Sequence, residues 1–226
     1  MSLPCDGCPV RDRAACSVLT GTERESLARS GRMRRLRRGE LLFAAGDEDS
    51  ACATLVTGAL KVSTLDEDGT ERILALVHPA GFVGELFTPF AQHDVVALTD
   101  SELCVFARGD MGRAVEQHPR LAQALLRRSQ EDLHQSRELL ALSGRSAGAR
   151  VGSLLLGMAE AASDSPCHAA RQFDLPLSRG EMAGMLGMTI ETVSRTITRM
   201  ERDGVLRRKG ARGIELLDPA RLGAAG

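Results

Sequence analysis

Between Gly39 and about Arg108 the apolar positions come in short runs broken by turn residues. Leu41–Phe43 is followed by Gly46-Asp47, Ala53–Val56 by Gly58, Leu60–Leu65 by Asp66–Gly69, and Ile73–Val77 by Pro79–Gly81; Val95–Leu98 and Leu103–Phe106 come later. Short runs recurring about every 8–12 residues, with Gly or Asp at the breaks, predict an all-β sandwich, roll or barrel. The Asp68-Gly69 pair signals a tight hairpin turn, whose central positions favour residues that tolerate positive φ. Upstream, residues 22–30 read as a short helix with Thr22 as N-cap and Glu25 three positions on. From Asp110 the spacing turns helical for over 30 residues, with Pro119 placed to break or kink the run and no further Gly or Pro before Gly144. A second helix is expected from Ser146 to 163, a loop at Asp164-Ser165-Pro166, and then two short helices and a hairpin around Lys209–Gly213. The expected divisions are a cysteine-rich segment 1–21, a β domain 22–109, a long helix 110–144 and a C-terminal domain 145–226.

The C-terminal pattern carries the most specific chemistry. Ser178 with Glu181 forms a capping box, Met182, Met185 and Leu186 give an apolar face, Gly187 supplies a turn, and Thr189 caps a second helix. In that helix Ile190, Val193, Ile197 and Met200 form one stripe, while Glu191, Ser194, Arg195, Thr198, Arg199 and Arg202 occupy the other side. Two helices joined by a Gly turn, the second with a polar and basic outer face, describe a helix-turn-helix. Arg195 suits a bidentate pair with guanine, Glu191 suits cytosine N4, and Ser194 suits a base edge or phosphate. Arg179 and Arg199 suit phosphate contacts, which position without specifying. A basic hairpin, Gly204–Leu216, supplies a wing with four cations.

Composition narrows the class. The 226 residues are 43 % hydrophobic and 26 % charged, with net charge −1, as in ordinary globular proteins. The charge is uneven: from Arg171 to Gly213 nine Lys/Arg face five Asp/Glu, a basic end suited to a polyanion. No run approaches the roughly 18 apolar residues of a membrane span, and the N-terminus lacks a secretory pattern. A cytoplasmic location and no membrane partner are the expectation. The five histidines are scattered, with no nucleophile–base pattern or phosphate-cradling glycine loop, so no enzymatic activity is expected.

Residues 5–16 read C-D-G-C-P-V-R-D-R-A-A-C. Soft thiols this close suit zinc or iron–sulfur, and a thiol redox switch is a third reading. Arg11 and Arg13 are candidates to offset thiolate charge. Cys5, Cys8 and Cys16 leave a fourth position to Cys52, Cys104 or Cys167. On the long helix Leu126, Ser129, Leu133, Ser136, Leu140 and Ser143 are spaced as a heptad seam. Serine at alternate positions forgoes roughly 1.5–3 kcal/mol of burial per absent leucine, which predicts a homodimer that a small change can tip. A second stripe, Leu121, Leu125, Leu139 and Leu142, is available to pack elsewhere.

The E-T-V-S-R of the second helix, and the order of β domain, long helix and winged helix from Gly39 to about Ile214, resemble the CRP/FNR superfamily of bacterial transcription regulators. The resemblance implies an α+β fold: an N-terminal double-stranded β-helix (jelly roll, cyclic-nucleotide-binding-like), a long dimerisation helix and a C-terminal winged helix-turn-helix. It implies readout by Glu191, Ser194 and Arg195 on double-stranded DNA with TTGAT-like inverted repeats, bound by a homodimer. Members of the FNR branch carry an N-terminal cysteine triplet plus one cysteine in the strand before the long helix. The resemblance therefore implies an oxygen-sensitive [4Fe–4S] cluster on Cys5, Cys8, Cys16 and Cys104, with Cys52 and Cys167 structural. It further implies contact between RNA polymerase and the roll near Asp66–Gly69. The F-V-G-E-L run at Phe82–Leu86 is similar to the start of a cyclic-nucleotide phosphate cassette. The following Ala91–Leu98 stretch has Asp94 and no arginine, where a buried phosphate needs a cation. Gly84 and Glu85 are accordingly read as remnants of the fold. A reading from another class, a zinc-stabilised module whose basic end binds protein or membrane, stands beside this one.

Overall fold

A computed structural model describes residues 4–48, 51–163 and 168–224; Cys167 and the expected loop at 164–166 lie outside them. The chain divides into two compact units, Met1–Gln135 and Ser136–Gly226.

In the first unit, strands β1 (Gly31–Leu36), β2 (Leu41–Phe43), β3 (Cys52–Thr57), β4 (Leu60–Leu65), β5 (Glu71–Val77), β6 (Phe82–Val83), β7 (Asp94–Ala97) and β8 (Ser101–Phe106) follow one another. They pair as two four-stranded antiparallel sheets, β1-β8-β3-β6 and β2-β7-β4-β5. Alternation decides the faces. Leu55, Leu60, Leu103 and Val105 bury their side chains between the sheets, so Cys104 and Phe106 look out on the far side. The expected hairpin forms at Asp66–Gly69, with Gly69 at φ 78° and its N–H donating to the Asp66 carbonyl at 2.9 Å.

The apolar pattern did not announce β1, which is rich in arginine. It lies at a sheet edge, where only Gly31 and Leu36 are buried, and Arg35 pairs across the ladder with Glu102 at 2.7 Å. The first helix, α1 (Gly21–Ser30), is capped by Thr20 and Glu23, not by Thr22 and Glu25. The sequence holds the T-x-x-E pattern twice, two residues apart. The earlier copy has its threonine in the extended conformation a cap requires, with φ −64° and ψ 170°.

The expected helical run from Asp110 is divided. Helix α2 (Arg108–Gln117) ends at His118, whose φ of −125° and ψ of 86° are not helical, and α3 (Pro119–Ala141) begins at the proline. The residue before proline is pushed out of the α region, while proline itself suits a first helical position, where its missing N–H costs nothing. The uninterrupted long helix is thus 23 residues, not the 110–144 span.

In the second unit, beyond the end of α3 and a short 3-10 turn at Leu142–Gly144, come α4 (Ala147–Ala161), β9 (Gln172–Asp174), α5 (Arg179–Leu186), α6 (Ile190–Arg202), β10 (Leu206–Lys209), β11 (Gly213–Leu216) and α7 (Pro219–Ala224). The sheet order is β10-β11-β9. Val151, Leu155, Met182, Ile197, Leu206, Ile214 and Leu222 are buried. Gly152 is required where α4 meets α7: a Cβ there would stand 2.3 Å from the Leu222 carbonyl oxygen.

Candidate functional site

Two sites are built, one in each unit. In the first, the segment from Pro4 folds back over the outer face of the β1-β8-β3-β6 sheet. One-turn 3-10 helices at Cys5–Gly7 and Ala15–Val18 hold Cys5 and Cys16, and Cys8 caps the end of the first. Val10 and Ala14 are buried with Val56 and Ala80, and Cys8, Cys16 and Cys104 pack against them. Cys5, Cys8, Cys16 and Cys104 line one cavity of about 210 Å³, walled by side chains that include Val10, Ala14, Phe106, Leu121 and Leu125. All four are half-buried. Cys52 does not line this cavity; it is buried in β3, where its thiol donates to the Phe106 carbonyl at 3.7 Å.

Electrostatics agree with this grouping. Burial pushes the Cys104 thiol up to about 12, and the proximity of Cys8, Cys5 and Cys16 adds to it. Cys5 and Cys16 are raised by burial and then by Cys8. Arg24 opposes the shift on both. Its guanidinium lines the cavity and is held by the Cys16 carbonyl at 3.4 Å and the Leu19 carbonyl at 2.7 Å. Of the two arginines expected to offset thiolate charge, Arg11 lines the cavity and Arg13 does not. Arg24 sits eight residues past Cys16 on helix α1, with nothing in the spacing to mark it. Among the described residues no three His, Cys, Asp or Glu side chains converge as ligands of one ion; the four sulfurs are distributed around the cavity wall. Soft thiols around a space of several atoms, with a cation beside them, fit an anionic iron–sulfur cluster.

In the second unit, the Ser178 hydroxyl accepts from the Glu181 N–H at 3.2 Å and the Glu181 carboxylate accepts from the Ser178 N–H at 2.7 Å, so α5 opens on a complete capping box. It closes at Gly187, whose φ of 61° and ψ of 44° are left-handed. Thr189 caps α6 by accepting from the Thr192 N–H at 3.2 Å. The buried side of α6 is Val193, Thr196, Ile197 and Met200. Ile190, expected in that stripe, is 52 % exposed, because it falls in the first turn, before the helix reaches the core.

Glu191, Arg195 and Arg199 are exposed and Ser194 is half-buried. Hydrogen bonds from its own backbone and from Thr189, together with the Arg195 charge, hold the Glu191 carboxyl below its ordinary value, so it presents an ionised acceptor. Arg179 is half-buried with a guanidinium nitrogen 3.6 Å from the Met182 sulfur, and burial followed by the Arg208 charge lowers its pKa. The wing is tied to α6 through Arg208, whose guanidinium meets Glu201 at 2.6 Å. Sequence reasoning missed Arg150. Its guanidinium bonds the carbonyls of Arg145 at 3.1 Å, Leu186 at 3.0 Å and also Ser143, which fixes the end of α5 beside the start of α4.

Of the seam, Leu126, Leu133 and Leu140 are 62, 49 and 73 % exposed, Ser129 is exposed and Ser136 half-buried. Leu121 is buried and Leu125 lines the cysteine cavity, while Leu139 and Leu142 are half-buried. In the roll, Gly84 has φ 108° and a Cβ there would lie 2.7 Å from the Ala51 carbonyl oxygen, which explains the glycine by packing. Glu85 accepts from the Thr88 hydroxyl at 2.6 Å, and Asp94 accepts from the Ala45 N–H at 2.8 Å.

Comparison with known proteins places residues 33–118 on the model of a cyclic nucleotide-binding domain and residues 149–225 on that of a Crp-like helix-turn-helix domain. The chain is 34 % identical to the transcriptional activator protein FnrL of Cereibacter sphaeroides, over 96 % of this chain and 90 % of that one. It is 33 % identical to the nitrogen fixation regulation protein FixK of Bradyrhizobium diazoefficiens, over 97 % and 92 %. Among solved structures it is similar to FixK2 from Bradyrhizobium japonicum, with a TM-score of 0.76, 27 % identity, and coverage of 86 % of this chain and 96 % of that one. No helix among the described residues is long and apolar enough to cross a membrane.

Proposed function

The chain belongs to the Crp/FNR family of transcription regulators, and from that premise we propose that it is a transcriptional activator that binds TTGAT-like inverted repeats as a homodimer under the control of an oxygen-sensitive iron–sulfur cluster. The observation that carries the control half is the cavity shared by Cys5, Cys8 and Cys16 with Cys104. Three of these come from the N-terminal segment and one from a strand of the roll.

When bound, a four-iron cluster supplies a site that oxidants attack. The chain's own residues do the rest. Cys5, Cys8, Cys16 and Cys104 would hold it, each giving up a thiol proton, so loading would tighten as pH rises. Arg24 and Arg11 offset the charge of the thiolates. Val10 and Ala14 fix the segment to the sheet, so holding or losing the ligands decides whether that segment stays seated beside Leu121 and Leu125 of α3. In the second unit, Glu191, Ser194 and Arg195 read bases, and Arg179 and Arg199 take phosphates. The exposed leucines of α3 are covered by a second copy, and a two-fold dimer matches an inverted repeat. The carboxylates of Glu85 and Asp94 are already engaged where a cyclic nucleotide would need a cation, which weighs against that effector despite the domain match.

Anaerobic purification followed by an absorption spectrum, iron and sulfide counts, and operator binding tests the proposal. About four irons per chain, and operator affinity that falls in air, are the expected result. One zinc per chain, whose ligands would gather at about 2.3 Å from a single point, or a colourless protein that binds operator equally in air, contradicts it.

A further inference from the structure

Met33 stands at the rim of the cysteine cavity. It lies on the edge strand β1, directly across the ladder from Cys104, and lines the same cavity. The Cys104 thiol donates to its sulfur at 3.7 Å. Met33 is 38 % exposed and is the only exposed methionine among the described residues. Met111, Met158, Met182 and Met200 are buried, and Met185 and Met188 are half-buried. Its strand neighbours Arg32 and Arg34 are cations, while Arg35 is paired with Glu102; the cations raise the local concentration of hypohalite, which takes up a proton to give the reactive acid.

We propose that Met33 is an oxidant-modification site, taking an oxygen atom from a hypohalous acid, and that its sulfoxide loosens the cysteine segment from the sheet. In net terms one S–O bond forms and the O–Cl bond of hypochlorous acid breaks. The thioether loses two electrons to become a sulfoxide, chlorine leaves as chloride, and the acid's proton passes to solvent. The product sets a polar, chiral group against apolar walls. Val10 and Ala14 line the same cavity, so keeping the segment seated then means holding an oxygen against their apolar side chains at a cost in desolvation. The modification itself stands on exposure and contact alone; its consequence for iron rests on the cluster reading.

The full-length protein, treated anaerobically with limiting hypochlorous acid, is digested and each methionine read for the mass of one added oxygen. Met33 is expected to be oxidised several-fold ahead of Met111, Met158, Met182, Met185, Met188 and Met200; prior oxidation of Met185 or Met188 overturns the proposal. Met33→Gln, a polar stand-in for the sulfoxide, and Met33→Leu are then compared by hydrogen exchange over residues 8–18. Faster exchange in the Gln variant, with the Leu variant like wild type, is expected, and equal exchange in both overturns the proposal. Iron per chain read alongside separates the two ideas. Wild type without iron removes the cluster but leaves the mapping and exchange results to decide on Met33. Iron in wild type and Met33→Leu, with roughly ten-fold weaker retention in Met33→Gln, is the second-sphere effect expected of a ligand's neighbour.

Discussion

Arg195 and Arg199 lie one turn apart on the exposed face of α6, and we propose different work for each. Arg195 carries the fork that suits a guanine edge, and Glu191 beside it is held ionised; Arg199 is placed for phosphate. Arg195→Ala should cost about 1–3 kcal/mol of operator binding and relax preference at one base pair. Arg199→Ala should weaken all sequences alike and reduce the salt slope by about one. Titrations on operator and scrambled DNA at several salt concentrations distinguish the two, and identical behaviour of the two variants contradicts the assignment. At this scale the sequence was uneven as a guide. Ser178, Glu181, Gly187 and Thr189 act locally, so their roles could be read from spacing. Arg24 and Arg150 act on carbonyls that only the folded chain brings near them, and no local pattern marks them.

Among the elements, α3 is the one we propose a second copy covers. Leu126, Leu133 and Leu140 are exposed along a 23-residue helix, while alternate seam positions are serine, so each leucine matters. Leu133→Glu should shift the chain to monomer in sedimentation and lower operator affinity in parallel, since each buried leucine contributes roughly 1.5–3 kcal/mol. A dimer that survives the change places the interface elsewhere. The strands whose apolar runs alternate with turn residues were legible, and so were both helices of the helix-turn-helix. Edge strand β1, short β6 and β9 and terminal α7 were not, because pairing at an edge or over a few residues needs little apolar sequence. The break at His118 was legible only as an alternative, since Pro119 is compatible with a kink as well as a start.

For the whole molecule, cysteine dominates its response to alkali. There is no tyrosine, and lysine occurs only at positions 61 and 209, so little else titrates between about pH 9 and 12. Cys52 and Cys104 are both raised from 9.0 to about 12. Folding therefore favours their neutral forms: this stability is intact below pH 9 and is lost as pH rises from there toward 12. Metal-free protein should show a falling denaturation midpoint across that window, and Cys104→Ser a shallower fall; a flat profile contradicts the burial of these thiols. The closeness of three soft thiols was visible in the first sixteen residues, and zinc, iron–sulfur and a thiol switch all suit it. The choice of Cys104 over Cys52 or Cys167 came from resemblance, not spacing, because register and face decide it. Residues 103 and 105 point into the roll, so 104 looks outward under the N-terminal segment, while Cys52 is buried beside Phe106 and does not line the cavity.

That placement is tested most directly by counting iron in Cys104→Ser and Cys52→Ser, prepared side by side without oxygen and then assayed for operator binding before and after air. The Cys52 variant should keep wild-type iron and lose operator binding in air, while the Cys104 variant should fail to hold its iron and no longer change its binding with oxygen. Full iron and an intact air response in Cys104→Ser would contradict the account.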